Sequence, residues 1–233
     1  MKPSVVLSAL LILVLFGCKD KEKIIEHVDE VPDDIFNIPL CETLGSTVMQ
    51  LFAESHNNKE KYPELFSGSQ ERIVLTKETN VYISYVTEGA AIPSTLGWYI
   101  YSGEDPASSE QIEKNIVFPN VSNSILTPGD TRLLGKFSAG TVIGFYLIVG
   151  GYHNNTVNYS KPTFYTNFLW NPGSFRQHVL FREQQCNNIL MGFEDKALET
   201  GSDVDYNDII FMISDNDDNQ ASTAFDQTTM VAL

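Results

Sequence analysis

Residues 192–211 read GFEDKALETGSDVDYNDIIF, and the apolar runs Ile189–Phe193 and Ile209–Ile213 stand at its two ends. Short runs of Ile and Phe bounded by Gly, Asp and Asn are the pattern of buried strands, and in a hairpin the end of one strand lies beside the start of the next. The stretch therefore predicts two strands clamping an acidic loop, with Glu194 and Asp195 brought close to Asp203, Asp205 and Asp208, and Asn207 among them. Like charges gathered this way raise one another's pKa unless a cation or a network of donors offsets them. Oxygen ligands suit a hard cation, Ca²⁺ ahead of Mg²⁺. The expected ligands are Glu194, Asp195, Asp203, Asp205 and Asp208, with Asn207 as a further one. An acidic turn held by Asx hydrogen bonds is the structural alternative, since Asp208 is placed to cap backbone N–H groups and Asn207 tolerates a left-handed turn. The loop is not an EF-hand: Asp208 stands where that loop's glycine belongs, and Ser214 where its closing glutamate does.

Upstream of the hairpin the period is two. Ile73–Leu75, Val81–Val86, Gly97–Tyr101, Ile116–Phe118, Thr131–Phe137, Val142–Val149 and His178–Phe181 read as strands, separated by turn-formers such as Glu88-Gly89, Ser102-Gly103 and Pro128-Gly129-Asp130. Many short strands with frequent turns predict an all-β, jelly-roll-like β-sandwich over residues 41–213. Between Thr43 and Phe66, the positions of Leu44, Val48, Leu51 and Phe52 predict one short N-terminal helix, stopped by Pro63. The aromatics Tyr159, Phe164, Tyr165, Phe168 and Trp170 are read as cross-strand packing, with a sugar-stacking platform as the alternative.

The chain begins with a different signal. Lys2 and the apolar run Val5–Phe16, too short to span a bilayer, form an export signal over residues 1–17. Leu15-Phe16-Gly17-Cys18 resembles a bacterial lipobox, which implies cleavage before Cys18 and acylation of that cysteine. The expectation is a lipoprotein held on the outer membrane by its acyl chains, with residues 18–40 as a tether; the acidic-and-lysine run Lys19–Lys23 resembles a surface-display signal. Residues 214–233 read as a frayed acidic tail. Cys41 and Cys186 are then the cysteines left for a disulfide, with buried free thiols as the alternative. Loss of Lys2 with the signal takes the formal charge from −15 to −16, which excludes phosphate-backbone binding and so nucleic acid as a partner.

No GxSxG elbow, HExxH or P-loop is present, and His27, His56, His153 and His178 have no metal spacing. His178, at a strand start near the acidic cluster, is read as a hydrogen-bonded structural residue, with a ligand or base role as the alternative.

The acidic motif resembles the closing motif of the bacterial family called domain of unknown function 4114, also described as the LruC-type domain. Other stretches agree in order: Glu88-Gly89-Ala90 with Leu96–Tyr101, then Ala139–Phe145, then Asn171 with His178, so that the resemblance runs over about residues 72–213. Ala91–Ser94 depart from it, where a more polar step is expected. The resemblance implies an extracellular β-sandwich with a calcium site at the acidic motif and no established activity. The functional expectation is a calcium-binding, non-catalytic surface lipoprotein that recognises glycan or another surface protein. The alternatives are a polysaccharide hydrolase using the hairpin carboxylates and a structural subunit of a surface assembly.

Overall fold

The computed structural model describes residues 24–68, 70–90, 92–218 and 220–233. The expected signal at 1–17, the expected lipidation site Cys18, the Lys19–Lys23 run and Ala91 lie outside the described residues. The chain opens with β1 (Ile25–His27), β2 (Phe36–Asn37), α1 (Leu44–Leu51), α2 (Asn58–Lys61) and β3 (Ile73–Val74). It continues through β4 (Thr79–Thr87), β5 (Ser94–Ser102), β6 (Asn115–Val121), β7 (Asp130–Phe137) and β8 (Thr141–Ile148). It ends with β9 (Tyr152–His153), β10 (Thr156–Asn158), β11 (Thr163–Tyr165), β12 (His178–Glu183), β13 (Asn188–Phe193), β14 (Ile209–Ser214) and β15 (Val231–Ala232).

Two sheets face each other. One has the order β15-β12-β13-β14-β4-β7-β2; the other has the order β11-β8-β5-β6, with β3 also paired to β8. Between them lie Ile83, Tyr85, Met191, Phe193 and Phe211 from the first sheet and Leu96, Val117, Phe118, Phe145 and Leu147 from the second. The rings of Phe145 and Phe211 meet across the gap at 5.0 Å. This is the expected all-β sandwich.

The apolar runs are continuous rather than alternating because both outer faces are also covered. Val179, Phe181, Leu190, Ile210 and Met212 point away from the main core and are roofed by Leu44 and Val48 of α1 and by Phe52 at its C-cap. That amphipathic spacing is what places the helix there. On the other side, Tyr99, Tyr146, Ile148 and Tyr165 pack with Tyr152 and Val157 of a small sheet, β1-β10-β9. Trp170 closes this layer, 5.5 Å from both Tyr99 and Tyr165, so Tyr159, Tyr165 and Trp170 pack as core, whereas Phe168 joins no core cluster and lines a recess.

Glycines make this layer fit. In the β5–β8 register Gly97 faces Tyr146 and Tyr99 faces Gly144, and a Cβ on either glycine would overlap the opposing ring. Each tyrosine lies over the bare backbone of its partner strand.

Two terminal segments differ from expectation. Within the expected tether, β1 pairs with β10, β2 pairs with β7, and Ile38 is buried, because the apolar residues there have sheet edges to join. The expected frayed tail also folds back. Asp215 Oδ2 accepts the N–H groups of Thr223 and Ala224 at 2.7 Å, Phe225 is buried, and β15 pairs in parallel with β12. Cys41 and Cys186 form a disulfide with Cα atoms 6.1 Å apart, tying the chain just before α1 to the β12–β13 turn. Among the described residues no helix is long and apolar enough to cross a membrane, which says nothing of a β-barrel.

Candidate cation site

Strands β13 and β14 pair from Phe193↔Ile209 onward, so residues 194–208 close a loop over the end of the first sheet. Gly192 lets it close, since a Cβ there would overlap the Tyr206 carbonyl. Glu194 is wholly buried and organises the turn from inside: it accepts the Tyr206 N–H at 2.6 Å and the Ser202 hydroxyl. Val204 and Tyr206 take left-handed conformations, φ 65° and 57°, alternating with Asp203, Asp205 and Asn207. A β-branched residue there is costly and persists only where its surroundings hold it.

The surroundings are the link between α1 and α2. Asn58 is buried and donates from its backbone N–H to the Val204 carbonyl at 2.9 Å and from Nδ2 to the Asp205 carbonyl at 2.5 Å. Asp205 answers with its side chain: Oδ2 accepts the Ser55 N–H at 2.8 Å, and Oδ1 accepts the Asn207 N–H at 3.2 Å. This docking brings Glu54 to the acidic loop. One carboxylate oxygen each from Glu54, Asp203 and Asp205 lie within 4.8 Å of one another. Calcium holds oxygens at about 2.3–2.6 Å, so a single ion spans that separation.

The six expected ligands divide into four groups. Asp203 and Asp205 join the triad. Glu194 sits beneath it with its carboxylate engaged by the loop, and Asp195 and Asp208 form a separate pair in which Asp208 Oδ2 accepts the Asp195 N–H at 2.7 Å. Asn207 supports the triad from outside, its Nδ2 donating to the Phe52 carbonyl at 3.1 Å and to Glu54 Oε2 at 3.4 Å. The third triad member, Glu54, carries no local signal. It lies just beyond a short helix in an ordinary polar stretch, and only the tertiary docking of Asn58 on Val204 and Asp205 delivers it.

Burial dominates the electrostatics. Removal from water pushes Glu194 up to about 7, with Asp205 and Asp203 adding repulsion against its hydrogen bonds from Ser202 and Tyr206. Burial likewise raises Asp205 to about 6 and Asp208 to about 8, with neighbouring carboxylates adding to both. Asp195 is raised by burial and by Asp203. Among the described residues no lysine or arginine pairs with Glu54, Asp203 or Asp205. Three oxygens without a counter-charge are chemically suited to a divalent cation.

His178 takes the structural role. It is fully buried, its Nε2 lies 2.9 Å from the Glu71 carbonyl, its ring packs on Phe193, and burial followed by nearby Arg176 drives its pKa well below the usual range. Asn171 is structural too, bracing the backbone of Tyr165 and Phe175.

The sequence model of a family described as Domain of unknown function (DUF4114) matches residues 137–216. That segment holds the acidic motif, Ala139–Phe145, Asn171 and His178; the Glu88 and Leu96–Tyr101 stretches lie before it. No curated protein and no solved structure matches the chain.

Proposed function

We propose, taking as premise that residues 137–216 belong to the DUF4114 family, that the chain is a calcium-binding, non-catalytic recognition domain of a surface lipoprotein. The observation that carries this reading is the Glu54–Asp203–Asp205 triad, three oxygens within 4.8 Å of one another. The ion would offset charge that burial otherwise disfavours, and it would fasten the α1–α2 link to the acidic loop. The lipid anchor at Cys18 would hold the sandwich at the outer membrane, facing a glycan or a surface protein.

A recess of about 260 Å³ beside the loop supports recognition over catalysis. Phe66, Phe168, Phe175 and Tyr206 line it with Lys59 and Glu71, a combination of apolar faces and polar tips suited to a sugar ring. A hydrolase needs two carboxylates facing each other across a cleft, about 5–5.5 or 6.5–9.5 Å apart. Glu194 is wholly buried, and both its oxygens accept hydrogen bonds from the loop.

The test is to strip the purified chain with chelator and follow its melting temperature as calcium and then magnesium are restored, with ion stoichiometry from calorimetry. A calcium-selective rise at about one ion per chain is expected. No response to either ion would return the loop to an ordinary hydrogen-bonded turn.

A further inference from the structure

The recess of about 260 Å³ beside the acidic loop is built from the same two segments that the triad joins. Leu198 and Tyr206 in its wall belong to the loop 194–208, and Lys59 and Phe66 to the segment that begins at Glu54. The rings of Phe66 and Tyr206 meet across this seam at 5.2 Å. Lys59 directly follows Asn58, whose bonds to the Val204 and Asp205 carbonyls fix the segment to the loop. Triad and recess therefore share one seam, with Asp205 serving the first and its neighbour Tyr206 the second.

A further wall comes from the turns ahead of β12. Phe168 and Phe175 line it, and Phe175 is 36% exposed. The residue before Phe175, Ser174, holds a left-handed φ of 54°, a conformation a non-glycine residue keeps only where its surroundings enforce it. Among these aromatic faces stand Lys59 and Glu71, with Arg176 near Glu71. Among the described residues neither the Lys59 ammonium nor the Glu71 carboxylate makes a hydrogen bond or an ion pair. Aromatic walls with an open donor and an open acceptor complement a sugar ring, whose hydroxyls both donate and accept and whose C–H face is apolar. The volume suits one ring rather than an extended chain, and the formal charge of −15 disfavours an acidic sugar.

The shared seam makes the two places interdependent. Without a cation, Glu54 repels Asp203 and Asp205 across it, pressing the Lys59 and Phe66 wall away from Leu198 and Tyr206. With a cation the repulsion is replaced by attraction, the walls keep their spacing, and a ligand meets a preorganised site. We propose that the recess takes a single neutral sugar ring, and that calcium in the triad controls its affinity without touching the sugar. This rests on the reading of the triad as an ion site and of the recess as a recognition site, and it makes the first the switch for the second. Such coupling is reciprocal: the sugar tightens calcium by the same factor as calcium tightens the sugar.

The test titrates the ¹⁵N-labelled full chain with the methyl glycosides of glucose, galactose and mannose, each in chelator and in saturating calcium. At least one is expected to shift the Lys59 and Phe175 amides saturably, with an affinity about fivefold or more higher in calcium. Calorimetry with and without that glycoside should show the reciprocal gain in calcium affinity on the unaltered chain. Glu54→Gln in calcium should bind the glycoside as the chelated parent does, whereas Phe175→Ala should lose the glycoside and keep its sugar-free calcium affinity. Equal glycoside affinity in the two states would overturn the control by calcium and leave the recognition reading standing. Absence of shifts from all three at about 50 mM, where even very weak binding registers, would overturn the proposal and the recognition reading together. Absence of calcium uptake in calorimetry would overturn it through the ion instead. A glycoside that shifts the Asp203 and Asp205 amides but not that of Phe175 would make the ion itself the sugar's ligand, also against the proposal.

Discussion

Asp205 Oδ2 accepts the backbone N–H of Ser55 at 2.8 Å, joining residues 150 apart in sequence. The bond places a carboxylate of the acidic loop against the link that carries Glu54, so the loop and the helical layer share one electrostatic site. Crowding three carboxylates without a counter-charge, Asp205 buried and Glu54 and Asp203 exposed, disfavours the fold, whereas a cation among them ties two distant segments together. The same residues should therefore have opposite effects on stability with and without the ion.

Glu54→Gln and Asp203→Asn should each leave the chelated protein as stable as the parent or more so, since each removes like charge. Both should erase most of the rise produced by calcium. At a hundredfold excess over the dissociation constant that rise is about 2.7 kcal/mol, or roughly 5–10 °C for a chain of this size. Paired melting curves in chelator and in calcium check the difference. Glu54→Gln is the sharper variant, because a loop that worked alone would be indifferent to it.

The raised carboxylates predict a pH dependence of known sign. Glu194 at about 7, Asp205 at about 6 and Asp208 at about 8 all lie above the ordinary carboxylate range. Their stabilising contribution is thus fully present below about pH 4 and is lost as pH rises through 6 to 8. With about one proton more on the folded chain in that window, stability falls by about 1.4 kcal/mol per pH unit. Calcium-free protein should lose roughly 3–6 °C per pH unit between 6 and 8. Calcium, favouring the ionised forms, should flatten the slope. A rise in melting temperature over that interval in chelator would contradict the assigned burial of these groups.

The disulfide between Cys41 and Cys186 closes a loop of 145 residues. In the chain-entropy account a closure that long stabilises by about 4–5 kcal/mol. It also holds the start of α1 against the sheet, and α1 carries the link to Glu54. Replacing both cysteines by serine should lower the melting temperature by roughly 8–20 °C and should weaken calcium binding as well. Melting and calorimetry on the double variant read the two effects separately.

The hairpin and the strands were legible because Ile, Val and Phe runs bounded by Gly, Asp and Asn have few other ways to be buried. α1 was legible because Leu44 and Val48 share one face, which Phe52 at the C-cap extends. Other features depend on partners remote in sequence. Ile25 and Val231 sit in segments of mixed composition, and only the free edges of β10 and β12 make strands of them. Glu54 joins the site through Asn58, whose hydrogen bonds to Val204 and Asp205 have no trace in local pattern. The grouping of the loop carboxylates was hidden for a related reason. Period and spacing bring Glu194 and Asp208 near Asp205, but left-handed turns at Val204 and Tyr206 decide which side chains point together.

Gly97 and Gly144 were visible only as residues of two sequence stretches, and the structure gives them a physical reason. Gly144 faces Tyr99 across β5 and β8, and Tyr99 is 1% exposed, so its ring has nowhere to retreat. Adding one methyl group forces the ring off its rotamer or the strands apart, at about 1–3 kcal/mol. Gly144→Ala should lower the melting temperature by roughly 2–12 °C, with calcium affinity unchanged because the acidic loop lies on the other sheet. Combining it with Tyr99→Leu, which shortens the opposing side chain, should cost less than the two single effects added together, as residues in direct contact couple. Simple additivity in that double-variant cycle would mean that the ring and the added methyl do not meet.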